Sequence, residues 1–136
     1  MEYDLHNSVV QAMAIPVTTL STNTTLVGII IDTLTFESIE FIALSRSTTD
    51  GDYDFSIEQG SVDDLSDAEQ VPPELIIGTL PVYDDAEDNV VKRVGVVGKK
   101  RYVRMSVTSS NVSSGGTFGA IAILGNAHAR PTPEQL

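Results

Sequence analysis

The sequence predicts an all-β domain, an antiparallel β-sandwich or jelly-roll-like barrel of about eight strands with extended terminal arms. Three observations lead there. Apolar residues recur with a period of two, as in Tyr53, Phe55 and Ile57 set between Asp52, Asp54, Ser56 and Glu58. Turn residues such as Asp50-Gly51 and Gly115-Gly116 punctuate these runs at fairly regular spacing. Helical periodicity is weak throughout, and Asp63 to Gln70 is the single candidate for a short helix. No fixed-period repeat occurs, which argues against a propeller or solenoid.

Taken in order, Val9 to Val17 is apolar enough for a strand, but Pro16 confines it to an edge or a strand end. The Ser-Thr-Asn-Thr-Thr run at 21–25 reads as a turn. Leu26 to Ile31 is a continuous apolar run and predicts a strand covered on both faces. Ile39, Phe41 and Ala43 share one face of the next strand. It is expected to pair with Tyr53–Ile57 as a hairpin through the Asp50-Gly51 turn. Residues 59–88 form a long connection in which Leu75 to Leu80 contains one short strand. Asn89 to Ser109 reads as a second hairpin, two strands meeting at Val97-Gly98-Lys99-Lys100, with Val103, Met105 and Val107 facing inward. Thr117 to Leu124 closes the domain as a buried strand of small residues. The expected organisation is one β-rich domain over residues 1–127, its first 24 residues an arm or edge strand, and a tail at 128–136.

At 136 residues the chain can bury a core without staples. It has no cysteine, which excludes disulfides and thiolate metal sites. No apolar run approaches the roughly 20 residues of a membrane span. The N-terminus lacks the basic flank and apolar core of a signal peptide, so a soluble protein made in the cytosol is expected. The net charge of −11 argues against general nucleic-acid binding. That charge is split. Thirteen acids and no Lys or Arg lie between Asp50 and Asp88, then six cations and no acid between Lys92 and Arg104. Such a division fits complementarity within the chain, or patches that meet opposite patches on neighbouring copies.

Catalytic chemistry finds little support. Asp50, Asp52 and Asp54 have the spacing of a calcium loop, yet the EF-hand positions for Gly and Glu hold Phe55 and Ser61. The Asp-Gly turn accounts for the same residues without metal. His6 and His128 lie near opposite ends without a partner motif, and no Gly-x-Ser-x-Gly elbow occurs. An enzyme is not expected, nor a cofactor. Sugar-binding sandwiches usually present exposed aromatics, whereas this chain has no Trp and four Tyr.

Five segments carry a resemblance. They are Ile31 to Phe41 with its Phe36-Glu37-Ser38-Ile39-Glu40-Phe41 core, Thr49 to Tyr53, Leu75 to Thr79, Val91 to Arg104, and Gly119 to Pro131. In order and spacing the chain resembles small structural proteins encoded in tailed-phage and prophage head gene clusters. The loop from Ser61 to Pro73 is more acidic than that pattern. The resemblance implies a capsid decoration (cement) protein on the virion exterior, a homo-oligomer, commonly a trimer, partnered with the major capsid protein. It implies no nucleic-acid or membrane partner. Beside it, the basic face of Lys92, Arg93, Lys99, Lys100, Arg101 and Arg104 is the expected protein interface; the plain alternative is cross-strand ion pairs. A tail, head–tail connector or fibre-base component and a glycan- or host-surface-binding module are the competing functions.

Overall fold

The computed structural model describes residues 4–127, so the expected tail at 128–136, with His128, lies outside the described residues. The chain folds as two antiparallel sheets packed face to face, the all-β sandwich that the alternation predicts. One sheet, called A here, contains β1 (Val10–Leu20), β4 (Phe36–Thr48), β7 (Ile76–Gly78), β9 (Val91–Val96) and β11 (Gly116–Ala127), in the order β1-β11-β4-β9-β7. The other, sheet B, runs β2 (Thr25–Val27), β10 (Tyr102–Ser110), β5 (Asp52–Gly60), β6 (Glu69–Gln70). Two further pieces join sheet B, β3 (Ile31–Asp32) on β10 and β8 (Val82–Tyr83) on β5. Asp63–Gln70 is not helical; a single 3-10 turn at Pro73–Leu75 is the only helical element among the described residues.

The inward residues match the period of two. Ile39, Phe41 and Ala43 on β4, Tyr53, Phe55 and Ile57 on β5, and Val103, Met105 and Val107 on β10 are all buried. Phe118 on β11 reaches across from sheet A into an aromatic cluster. Its ring centroid lies 4.3 Å from Tyr53, 5.2 Å from Tyr83 and 6.2 Å from Phe55. Tilted and edge-on aromatic pairs of this kind add about 0.5–1.5 kcal/mol each beyond the area they bury.

Pairing departs from expectation at two places. β4 and β5 do not form a hairpin: β4 pairs with β11 and β9, while β5 pairs with β10, β6 and β8. Nor do β9 and β10, which belong to different sheets. Both connections are arches that carry the chain from one sheet to the other. The reason is that alternation fixes which side of a strand is buried, and an arch keeps its two inner faces buried against each other just as well.

The third departure is at Leu26–Ile31. This run is a broken edge, with Val27 and Ile29 exposed. β2 pairs with Ser106–Thr108, then Gly28 donates to the Met105 carbonyl and Ile29 donates to Ala14 O of β1 at 2.8 Å, leaning the chain toward sheet A. A side chain at Gly28 would collide with the Met105 and Ala14 carbonyl oxygens, which is why the run contains a glycine there.

β1 is the edge-strand alternative for the N-terminal segment. Its register on β11 shifts on both sides of Ile15, next to Pro16, so the proline stands at an irregularity of an edge strand.

The two outer faces differ. On sheet B, Asp54, Ser56 and Glu58 stand beside Thr108, Ser106 and Arg104, a polar surface. On sheet A, one row across the strands reads Met13, Ile121, Ile42, Arg93, and the next reads Gln11, Ile123, Glu40, Gly95, Ile77. That surface is largely apolar.

Candidate functional site

The six cations of the basic stretch lie on β9, β10 and the arch between them, and five are paired within the chain. Lys92 meets Glu87, Arg93 meets Glu40 at 3.6 Å, and Lys100 meets Glu69 at 2.7 Å. Arg101 grips Asp32 with two parallel bonds of 2.9 Å, and Arg104 pairs with Glu58 directly opposite on β5. Three of these carboxylates, Glu58, Glu69 and Glu87, come from the acidic stretch. The cations of the basic stretch are therefore largely neutralised within one molecule, while ten of the thirteen acids of the 50–88 stretch take no part in these pairs. Arg93 is the least covered member of these pairs, its side chain 80% exposed. Lys99 is half-buried, and burial pulls its pKa below the usual lysine range against the opposing pull of Glu37 and Asp32.

The arch from Val97 to Arg101 is held by buried polar groups. The Gln59 side-chain oxygen accepts the Lys100 N–H at 3.0 Å, and Thr33 donates both its N–H and its hydroxyl to the Arg101 carbonyl. Gln59 and Thr33 are 2% and 1% exposed, so these bonds satisfy groups that water cannot reach.

The acidic residues do local structural work. Asp50 accepts backbone N–H bonds from Ser113, Ser114 and Gly115 at 2.9–3.1 Å, which holds its pKa below the usual carboxylate value. Gly115 sits at φ +105°, where a side chain would also strike the Leu20 carbonyl. Asp52 accepts from the Asn111 amide, while Asp54 is exposed on the outer face of sheet B. The calcium candidates Asp50, Asp52 and Asp54 thus take separate roles, and among the described residues no group of three or more His, Asp or Glu gathers at one point. Asp64, Asp67, Asp84 and Asp88 likewise accept N–H groups of Ser66, Ser61, Ala86 and Thr48. An Asp bonding the amide two residues on, as Asp32, Asp64 and Asp84 do, is a turn signature legible in sequence. The bonds of Asp50 and Asp88 to segments distant in sequence are not.

Among the described residues, aromatic side chains are not offered to solvent. Phe36, Phe41, Phe55, Phe118, Tyr53 and Tyr83 are buried, and Tyr102 is half-covered with Arg101 over its ring at 4.9 Å. Tyr83 donates its hydroxyl to the carbonyls of Ala43 and Val90, and burial pushes its pKa up to about 12.

No family model matches this chain, and no curated protein matches it. Among solved structures it is similar to a chain in the structure of infectious bursal disease virus, Gx strain. The two share 12% identity with a TM-score of 0.50, over 90% of this chain and 34% of the viral chain. This chain therefore spans about a third of the length of the protein it matches. At that identity the likeness is one of fold.

Proposed function

We propose that this chain is a virion structural protein, a decoration protein that binds the outside of an icosahedral phage head and bridges its capsomers. The observation that carries the reading is the fold likeness, along 90% of the chain, to part of a chain from a virus structure. The five segments that resemble phage head proteins are the ground for reading the particle as a phage.

A protein in this position resists the outward push of packaged DNA by adding contacts between neighbouring subunits. The contacts must bury apolar surface, with about 800 Å² from each partner in an ordinary interface. The basic face contributes at its rim. Five of its cations already have carboxylate partners, and exposed pairs are worth below about 1 kcal/mol each, so a partner's acid can replace one at little cost. Of the six, Arg93 is the one offered most freely. The excess negative charge then faces solvent and limits aggregation of particles.

The burial of six of the seven described aromatic rings weighs against a glycan-binding module, which needs exposed rings to stack on sugars. Quantitative mass spectrometry of purified virions tests the reading. Hundreds of copies per particle, with saturable binding to assembled shells and none to free capsid subunits, is the expected result. About a dozen copies or fewer would instead indicate a connector or tail component.

A further inference from the structure

We infer that the outer face of sheet A is the surface through which copies of this chain associate with one another. Every strand of the sheet contributes to it. Met13 and Val17 on β1, Val91 on β9 and Ile77 on β7 are 49%, 63%, 64% and 57% exposed. Ile121 and Ile123 on β11 and Ile42 and Leu44 on β4 fill the middle and are half-covered by these neighbours. Beside them a groove of about 260 Å³ runs past Ile77, Gly95, Val97 and Ile123.

Its size suits an interface. Five strands at about 4.8 Å spacing make a face about 20 Å across, and the longer strands extend it to about 30 Å at about 3.3 Å per residue. That footprint, at most about 600 Å², is below the roughly 800 Å² which each partner contributes to an ordinary complex, and suits weak self-association. Within it the exposed Met13, Val17, Ile77 and Val91 flank the half-covered Ile42, Leu44, Ile121 and Ile123, so its apolar side chains are grouped and not scattered singly.

Charge selects a second copy as the occupant. At a net charge of −11, two copies repel wherever their acids meet. The acids of the segment from Asp50 to Asp88 lie on β5, β6, β8 and their loops, outside sheet A apart from Glu74 in the turn before β7. Across the two central rows of the sheet A face the only charges are Glu40 and Arg93, of opposite sign, 3.6 Å apart and with side chains 34% and 80% exposed. These two rows carry one cation and one anion, with Arg46 exposed farther along β4, so two like copies can approach there away from the acidic segment and exchange partners across the contact.

The test is sedimentation equilibrium of the full chain from about 1 to 100 μM, the range in which weak self-association shows. The expected result is a mass of two or more copies, with association weakened at least tenfold by Ile42→Lys and by the doubly exposed-site variant Met13→Lys/Val91→Lys. Thr108→Lys, on the outer face of sheet B, should leave the mass unchanged. Circular dichroism of each variant separates lost association from lost folding, and the Met13→Lys/Val91→Lys variant alters only exposed side chains, so it is expected to fold. A monomer across the whole range would overturn the inference, as would association that survives all the sheet A variants. A monomer that still binds assembled shells, and loses that binding with Ile42→Lys, would assign the face to the shell instead. Association in solution without shell binding would leave this inference standing and remove the decoration reading.

Discussion

The carboxylate of Asp50 accepts the backbone N–H of Gly115 at 2.9 Å, and through that bond the β4–β5 arch is tied to the β10–β11 connection at one end of the sandwich. Thr49 completes the tie by donating its N–H to the Gly115 carbonyl. Two loops that are 65 residues apart in sequence are thereby fixed by one acid.

Removing that acid should loosen both loops together. Asp50→Ala is expected to lower the melting temperature at pH 7 by several degrees and to speed amide exchange at Ser113, Ser114 and Gly115. The pH dependence follows from the bonds. The folded pKa of Asp50 is lowered from the ordinary 3.8, so its contribution is present above about pH 4 and is lost as pH falls through the folded value. Asp64 and Asp67 are shifted the same way by their own N–H donors. The gap between wild-type and Asp50→Ala melting temperatures should therefore close in acid; a gap unchanged at pH 2 would contradict the assignment.

Tyr83 gives the opposite limb. Its pKa is raised from 10.0 to about 12, so the neutral hydroxyl stabilises the fold fully below about pH 10, and that contribution is lost as pH rises toward 12. Tyr83→Phe leaves the Ala43 and Val90 carbonyls without this donor and is expected to cost about 1–2 kcal/mol by urea denaturation at pH 7. In a phenolate absorbance titration the variant should lack the latest-ionising tyrosine.

Phe118 is the central ring between the sheets. Phe118→Ala should cost about 3–5 kcal/mol, the usual range for emptying a buried aromatic site. Phe118→Leu should recover much of that loss, because the site is apolar and needs volume first. Equal loss in both variants would indicate that the ring contacts with Tyr53 and Tyr83 matter more than volume.

The Arg104–Glu58 pair sits on the outer face of sheet B with both side chains about a fifth exposed. A double-mutant cycle with Arg104→Gln and Glu58→Gln is expected to give a coupling below about 1 kcal/mol that shrinks further in 0.5 M salt. A coupling of several kcal/mol would mean that the pair organises the sheet instead of decorating it.

Much of this was legible in the order of residues. The inward sets on β4, β5 and β10 follow from alternation, and β1 takes the edge place to which Pro16 confined it. The basic stretch could be seen, though not its partners: Arg104 finds Glu58 because β10 lies against β5, a neighbour 46 residues away in sequence. Leu26–Ile31 was misleading because apolar content does not reveal whether a strand has one neighbour or two. The apolar face of sheet A was hidden for a related reason. Ile42, Leu44, Ile121 and Ile123 lie on runs that are apolar on both sides, and such runs read as fully buried strands.

By itself the sequence determined the fold class, the buried faces of β4, β5 and β10 and the absence of any cysteine chemistry, since these depend on residue type and a local period of two. Only the tertiary structure decided that β4–β5 and β9–β10 are arches, that Glu58, Glu69 and Glu87 of the 50–88 segment pair with the basic stretch, and that sheet A presents an apolar surface. Those properties depend on which strands become neighbours. A side chain's period records which way it points, while its partner is chosen by how the whole sandwich closes.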